Sequence, residues 1–414
     1  MNKRIWIINQ FANTNEMPGH TRQFELSKFL SKKGFLVSVF SSDFNLSLRN
    51  YFKKGKFLFY KKETLNNVRW IWLSVMRYER NNWKRYINII SFDINLSVHL
   101  FIKILFSLLF KRKPSLILAS SPQLPASFCA LLISKIFRIP FIFEVRDLWP
   151  TVLVDLGNIN KKNLVIKFLF SIEKLLFLFS DAIVVLSKGS IDYVNSKGGR
   201  NIYYLPNGSN LDFFKFVSLP KENTNFSSER PFKIIYSGAH GIANGLDNVI
   251  KATKYLSHLP IKIFFVGDGP EKEKLILLAK DNKSIVFKKP IPKSKMPKYL
   301  SKADAILVSL ANVELFKYGV SPNKLFDAYS IGRPVITTIP GLINFEVEKY
   351  NLGVTSIANN PKKLADAILA LYKTPRYIRE EMGKAARKHA EDFYSKDLIF
   401  KKYYKLINKV IDKD

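Results

Sequence analysis

Short apolar runs, each followed by a turn and then by a stretch with helical spacing, recur along this chain. That alternation leaves few folds open, because it is the pattern of parallel sheets covered by helices. Residues 4–9 form a β-rich run and 11–19 a polar loop; Phe24, Leu26, Phe29 and Leu30 then give 21–33 helical spacing before Gly34 ends the helix. Residues 36–40 return as a strand and complete a βαβ unit. Further strands are expected over 116–119, 140–144 and 182–186, with apolar helices over 125–137 and 164–179.

The pattern breaks once and restarts. Residues 206–231 open on Pro206-Asn207-Gly208-Ser209-Asn210 and stay polar to Pro231, as a boundary between domains does. A second α/β half follows, with strands over 233–236, 261–266, 285–287, 305–308 and 335–338 and a helix over 246–256. The expected division is an N-terminal domain over 1–205, a second domain over 206–392, and a C-terminal helical segment over 393–414. The last carries Leu398, Ile399, Tyr403, Leu406, Ile407 and Val410 at helical spacing.

With 414 residues and 47% hydrophobic content the chain can build two cores. Its unusual bulk property is charge: 66 Lys and Arg against 33 Asp and Glu, a formal +33, which points to an anionic partner surface. The aromatics fall mostly inside periodic apolar segments rather than between basic residues in loops, so an anionic membrane surface is expected and nucleic acid is not. The apolar segments 96–110 and 164–179 are shorter than the roughly 20 residues of a membrane-crossing helix. Both also carry charge: Lys103 in the first, and Lys167, Glu173 and Lys174 in the second. Either they lie flat in a headgroup layer, for which Trp83-Lys84-Arg85-Tyr86 and Lys111-Arg112-Lys113 supply a basic and aromatic fringe, or they pack into the core. The single cysteine, Cys129, reads as a buried small side chain, and the apolar start is too short for a secretory leader. A reducing, cytoplasmic location is expected, peripheral on the inner face of the cytoplasmic membrane.

Ligands of such sheets bind beyond the carboxyl ends of the strands. The loop from Gly238 to Gly245, which contains His240, has three glycines that let backbone amides approach a phosphate; a purely conformational turn is the alternative. In the corner Gly267-Asp268-Gly269-Pro270-Glu271, Asp268 either caps the turn or lines a nucleotide pocket. The most specific segment runs from Ser321 to Ile336. Pro322 starts a helix, the amides of Asn323 and Lys324 lie at its positive end, and the Lys324 ammonium could neutralise a diphosphate. Asp327, one turn on, could accept hydrogen bonds from ribose hydroxyls, unless it and Lys324 simply form an ion pair. No Asp-x-Asp pair ends a strand, the five histidines are scattered, and there is no Gly-x-Ser-x-Gly elbow, so neither an essential metal nor another cofactor is expected.

Together the Gly-Asp-Gly-Pro corner and the run from Lys324 to Ile336 resemble retaining glycosyltransferases of family 4. Pro18-Gly19-His20-Thr21-Arg22 and the run from Phe143 to Pro150 are similar to the bacterial surface-polysaccharide branch, in particular N-acetylfucosamine transferases. The resemblance covers nearly the whole chain. It implies an α/β fold of two Rossmann-like domains facing across a cleft (GT-B), with the C-terminal helix crossing back to the first domain. It also implies transfer of a sugar from a UDP-type donor to a polyprenyl-diphosphate-linked saccharide acceptor in O-antigen or capsule synthesis, an N-acetylated aminodeoxy sugar being the first choice. On that basis Asp147 is the catalytic candidate; Gly19, Gly238, His240, Asp268, Asn323, Lys324 and Asp327 are the donor-binding ones. Arg146 is either part of that acidic loop's chemistry or the salt-bridge partner of Asp147. The chain also departs from the family. The usual pair of glutamates falls on Gly319 and Asp327, leaving Glu314 as a place to which the first acid's role could have moved, and Ala239 and Asn244 stand where many members carry Arg and Lys. A nucleotide-sugar epimerase on the same fold and a basic, non-catalytic membrane or nucleic-acid-binding protein are the alternatives.

Overall fold

A computed structural model describes residues 3–14, 21–45, 50–51, 59–78, 83–109, 112–157, 159–220 and 230–412. The chain forms two compact units, one of Met1–Leu205 with Phe400–Asp414 and one of Pro206–Ile399. Gly19 and His20 lie outside the described residues.

In the first unit the strands are β1 (Arg4–Ile8), β2 (Leu36–Ser42), β3 (Phe44–Asn45), β4 (Asn50–Tyr51), β5 (Tyr60–Leu65), β6 (Val68–Leu73), β7 (Leu116–Ser120), β8 (Phe141–Val145), β9 (Ala182–Val185) and β10 (Ile202–Tyr204). Its helices are α1 (Arg22–Lys32), α2 (Trp83–Leu109), α3 (Leu124–Ile136), α4 (Thr151–Asp155), α5 (Leu164–Phe179) and α6 (Ser190–Ser196). The main sheet has the order β10-β9-β8-β7-β1-β2-β6-β5. Only its last pair is antiparallel, and the central strands are buried on both faces. That hairpin, unread in the sequence, turns on Asn66 and Asn67, both at positive φ, as a two-residue hairpin turn requires.

Helix α2 corrects the reading of segment 96–110. It begins at Trp83 and runs 27 residues, so by length and composition it could cross a membrane. Cys129, in α3, is partly exposed rather than buried, because the inner face of that helix falls on Ala126, Ala130 and Ile133.

The second unit has strands β11 (Phe232–Ser237), β12 (Ile261–Val266), β13 (Ile285–Lys288), β14 (Ala305–Val308), β15 (Val335–Thr337) and β16 (Gly353–Thr355) in one sheet of order β13-β12-β11-β14-β15-β16, parallel throughout. This is the doubly wound Rossmann order. Helices α7 (Leu246–Thr253), α8 (Lys272–Leu278), α9 (Met296–Leu300), α10 (Asn323–Ser330), α11 (Leu342–Lys349), α12 (Pro361–Lys373) and α13 (Arg376–His389) cover it. Ile263 and Tyr236 belong to one apolar core and Ile235 and Val308 to another, as alternating side chains of doubly covered strands must. A last helix, α14 (Lys396–Ile411), contributes its part from Phe400 onward to the first unit. There Phe400 packs on Phe29, and Tyr404 on Phe35.

Candidate functional site

Strand β11 ends at Ser237, and the glycine loop after it is held against the next strand's corner. Gly238 donates its N–H to the carbonyl of Val266 at 3.0 Å, and His240 donates its own to that of Asp268 at 2.8 Å. The contact leaves no room for side chains. A Cβ on Gly267 would stand 1.9 Å from the Gly238 oxygen, and one on Gly269 2.4 Å from the His240 oxygen. Glycine at 267 and 269 is therefore dictated by packing of one loop on the other.

Lys324, in the first turn of α10, reaches this loop. Its Nζ donates to the Tyr236 hydroxyl at 2.9 Å and to Asn244 Oδ1 at 3.0 Å, and it lies 4.1 Å from the centre of the Tyr236 ring. The Tyr236 hydroxyl in turn donates to the Ala239 carbonyl. A Cβ on Gly238 would meet Lys324 Nζ at 3.2 Å, so the cation lies beside the bare glycine backbone. All the groups that hold Lys324 are neutral, and burial pushes its ammonium down from the usual lysine range to about 7. Such a cation gains strongly from an anion brought to it. Sequence reasoning does not reach Tyr236, a strand residue, and gives Asn244 only as a departure from the family pattern.

His240 does not add charge here. Its ring is fully buried against Tyr236, Phe265 and Phe287, and both ring nitrogens lack hydrogen-bond partners. Burial, with Lys272 and Lys324 nearby, lowers it to about 4, so it is neutral at pH 7. As a donor-binding candidate it therefore offers no positive charge to a diphosphate. Asp268 is exposed and accepts from the Gly269 N–H at 2.9 Å, with Lys272 at 3.9 Å, so its contacts are local to the corner.

Asn323 is exposed at the start of α10, and Asp327 is bound from the boundary loop: Ser209 Oγ donates to Asp327 Oδ1 at 2.9 Å. Asn207 clasps the same helix start, its N–H donating to Ser321 Oγ and its amide group to the Ser321 carbonyl. Thus Gly238, Lys324 and Asp327 share one end of the sheet, with the boundary loop fastened to it. Gly319 sits at φ +79°, a backbone region that a glutamate adopts only under strain, which accounts for the missing acid. Glu314 is exposed in the short turn before it. Arg333, from the same motif, is fully buried and donates to the carbonyls of Gly332 and Ser218, so it fastens the linker.

In the first unit the carboxyl ends of β7 and β8 carry a second polar cluster. Glu144 is fully buried: Arg22 Nε donates to its Oε2 at 3.0 Å, the Tyr403 hydroxyl to the same oxygen at 2.8 Å, and Gln23 to Oε1 at 3.2 Å. Burial alone would raise the Glu144 carboxyl, but Arg22 and Arg146 beside it hold it below the usual range. Arg146 Nη1 donates to Gln23 Oε1, so it is tied into this network as well as coupled to Asp147. Asp147 is exposed next to it, its N–H and that of Arg146 directed at Ser121 Oγ. The surrounding protein raises its carboxyl, opposed by Arg146. Sequence reasoning gives Arg22 and Glu144 only as parts of motifs and Tyr403 only as an apolar helix position, and does not reach Gln23; the signal for the cluster is a carboxylate closing the apolar strand Phe141-Ile142-Phe143.

Residues 220–389 match the model of the family described as Glycosyl transferases group 1. The match lies within the second unit. No curated protein sequence matches the chain. Among solved structures, sucrose-phosphate synthase from Thermosynechococcus elongatus is similar with a TM-score of 0.74 at 16% identity, over 100% of each chain. HepE of Anabaena in complex with UDP and glucose gives 0.67 at 13% identity, over 98% of this chain and 100% of that one. WaaG, a glycosyltransferase involved in lipopolysaccharide biosynthesis, gives 0.63 at 13%, over 98% and 99%. At such identities the likeness is one of fold: the two units are the two Rossmann-like parts of a GT-B fold.

Proposed function

We propose that this chain is a retaining glycosyltransferase of the family 4 type, moving a sugar from a UDP-type donor to a polyprenyl-diphosphate-linked acceptor in surface-polysaccharide synthesis. The observation that carries the donor half is Lys324, a cation held only by neutral groups, beside the bare backbone of Gly238 in a group 1 glycosyltransferase domain. Support for UDP comes from the HepE complex, and support for the polysaccharide role from WaaG and from the sequence motifs. In this reading the glycine-loop amides and Lys324 hold the diphosphate, and Asp327, whose Oδ1 accepts from Ser209, meets the ribose. Charge that builds on the departing diphosphate is stabilised by Lys324, and a departing oxygen takes the acceptor proton. Asp147 orients the acceptor hydroxyl or stabilises positive charge on the sugar. No metal is invoked. An N-acetylated aminodeoxy sugar is the proposed cargo, and the inner face of the cytoplasmic membrane the proposed location.

Calorimetry with UDP tests the donor half. Lys324 titrates near 7 when free and is raised by a bound diphosphate, so binding takes up a proton. The attraction is fully present below about pH 7 and fades as pH rises toward the complexed value. Above pH 7.5 the terminal phosphate of UDP, with a second pKa of about 6, is already ionised and does not confuse the reading. Affinity should fall between pH 7.5 and 8.5 by a factor approaching about tenfold. An affinity that stays flat, or UDP that does not bind, contradicts the assignment.

A further inference from the structure

The outer surface of the first unit's helical layer is wrong for water. In α2, Asn88, Phe92, Leu96, Leu100 and Ile104 face inward at a spacing of four. The opposite stripe, where a surface helix of a soluble protein carries polar groups, is Ile87, Ile90, Ile94, Val98, Phe101 and Leu105, and all six are exposed. Helix α3 packs against α2 on one side and α5 on the other, and the row continues the apolar surface through Leu132 and Ile136 of α3 and Leu164, Val165 and Phe168 of α5. Single exposed apolar residues mean little; a contiguous surface over three helices marks an interaction site.

Charge identifies the occupant. The three helices hold two acidic residues, Asp93 and Glu173. Both are withdrawn: Asp93 Oδ1 is buried, and Glu173 is fully buried under Lys197 and Tyr193. Cations fringe the row instead, with Lys84 in the first turn of α2, Lys113 and Arg138 joined just beyond the ends of α2 and α3, and Lys162 and Lys167 at the start of α5. An apolar face without outward carboxylates, rimmed by cations, complements the headgroup and upper acyl layer of an anionic leaflet. A second copy would set like-charged rims against each other.

Although α2 is long enough to cross a bilayer, its ties run along its length. Asn88 accepts from Gln10 at 2.9 Å and donates to the Met76 carbonyl at 2.6 Å, Asn95 donates to the Ser74 carbonyl at 3.0 Å, and the inward apolar stripe lies in the core. Crossing would break all of these.

We infer that the α2–α3–α5 face docks the first unit onto an anionic membrane leaflet, with α2 lying in the plane of the interface rather than spanning it. This deepens the membrane location in the proposed function and rests on that part of it. The test is co-sedimentation of the full chain with phosphatidylcholine vesicles, with and without phosphatidylglycerol, comparing the parent with the double variant Ile94→Glu, Phe101→Glu. Both positions are exposed, so the variant should keep the parent's circular dichroism, melting temperature and UDP affinity. The parent should bind the anionic vesicles preferentially, and the variant at least about tenfold more weakly. Alkaline carbonate should release the parent from membranes. A parent that ignores anionic vesicles, a folded variant that binds like the parent, resistance to carbonate, or a lipid-free dimer that the variant splits while vesicle binding is absent would each overturn the inference. UDP affinity is read separately, so failure at the membrane is distinguishable from failure of the sugar-transfer reading.

Discussion

Lys324→Met should lower kcat/KM for sugar transfer by about 10²–10³ while leaving the melting temperature unchanged or slightly higher. Removing one preorganised donor to a developing oxyanion costs about that much. The stability side follows from the same geometry. In the folded protein Lys324 is a desolvated cation whose partners are a phenol hydroxyl and a carboxamide, and burial holds it at about 7. A methionine of similar reach removes that desolvation cost and keeps the packing against Tyr236. Steady-state kinetics together with a thermal melt separate the two effects. Lys324→Arg should restore part of the rate and abolish the pH dependence of UDP binding, since guanidinium does not titrate in that range. A Lys324→Met protein that unfolds early would make the lysine structural instead.

Glu144→Ala carries the other large effect, and it is the reverse: mainly stability. This carboxylate lies fully buried between Arg22 and Arg146 and accepts from Tyr403 in α14. Its loss leaves buried guanidinium charge uncompensated, which costs about 3–5 kcal/mol. For a unit of this size that is a fall in melting temperature on the order of 10 °C. Because folding lowers the Glu144 pKa, its contribution is present above the ordinary glutamate value of about 4.3 and is lost as pH falls through the lower folded value. The parent and the variant should therefore converge in stability only in strong acid. A melt of Glu144→Ala that matches the parent at pH 7 would show that the network is slack.

How much of this was legible beforehand varied with the range of the interactions involved. The strand-turn-helix rhythm located the central strands of both sheets, since doubly covered parallel strands are continuous apolar runs. Strand β5 escaped because it carries Lys61, Lys62 and Glu63 on the sheet edge, where burial imposes no apolar run; β6, with Trp70, Ile71, Trp72 and Leu73 buried, does carry one and was overlooked. The Gly-Asp-Gly-Pro corner was visible as a turn, but its reason, a Gly238 oxygen that a Cβ on Gly267 would meet at 1.9 Å, joins two loops about thirty residues apart. Lys324 was legible from its helix start; the phenol and carboxamide that hold it were not, because Tyr236 reads as a strand residue and Asn244 as a gap in a motif. His240 shows the opposite error: a histidine in a glycine loop suggests a ligand, and the aromatic cage that makes it neutral is assembled by strands β12 and β13. Arg22, Glu144 and Tyr403 meet across 122 and 259 positions of sequence, beyond the reach of spacing arguments. In α2 the sequence pattern was apolar on more than one face, so periodicity marked neither its start nor its outer side.

The most direct test of the account is to incubate the chain with membranes and a panel of radiolabelled UDP-sugars, and to extract the lipids. Lipid-extractable label is expected from one donor, with the anomeric configuration retained, and that label is expected to be lost with Lys324→Met. No lipid-extractable label from any donor, or a free isomerised nucleotide sugar formed without acceptor, would contradict it.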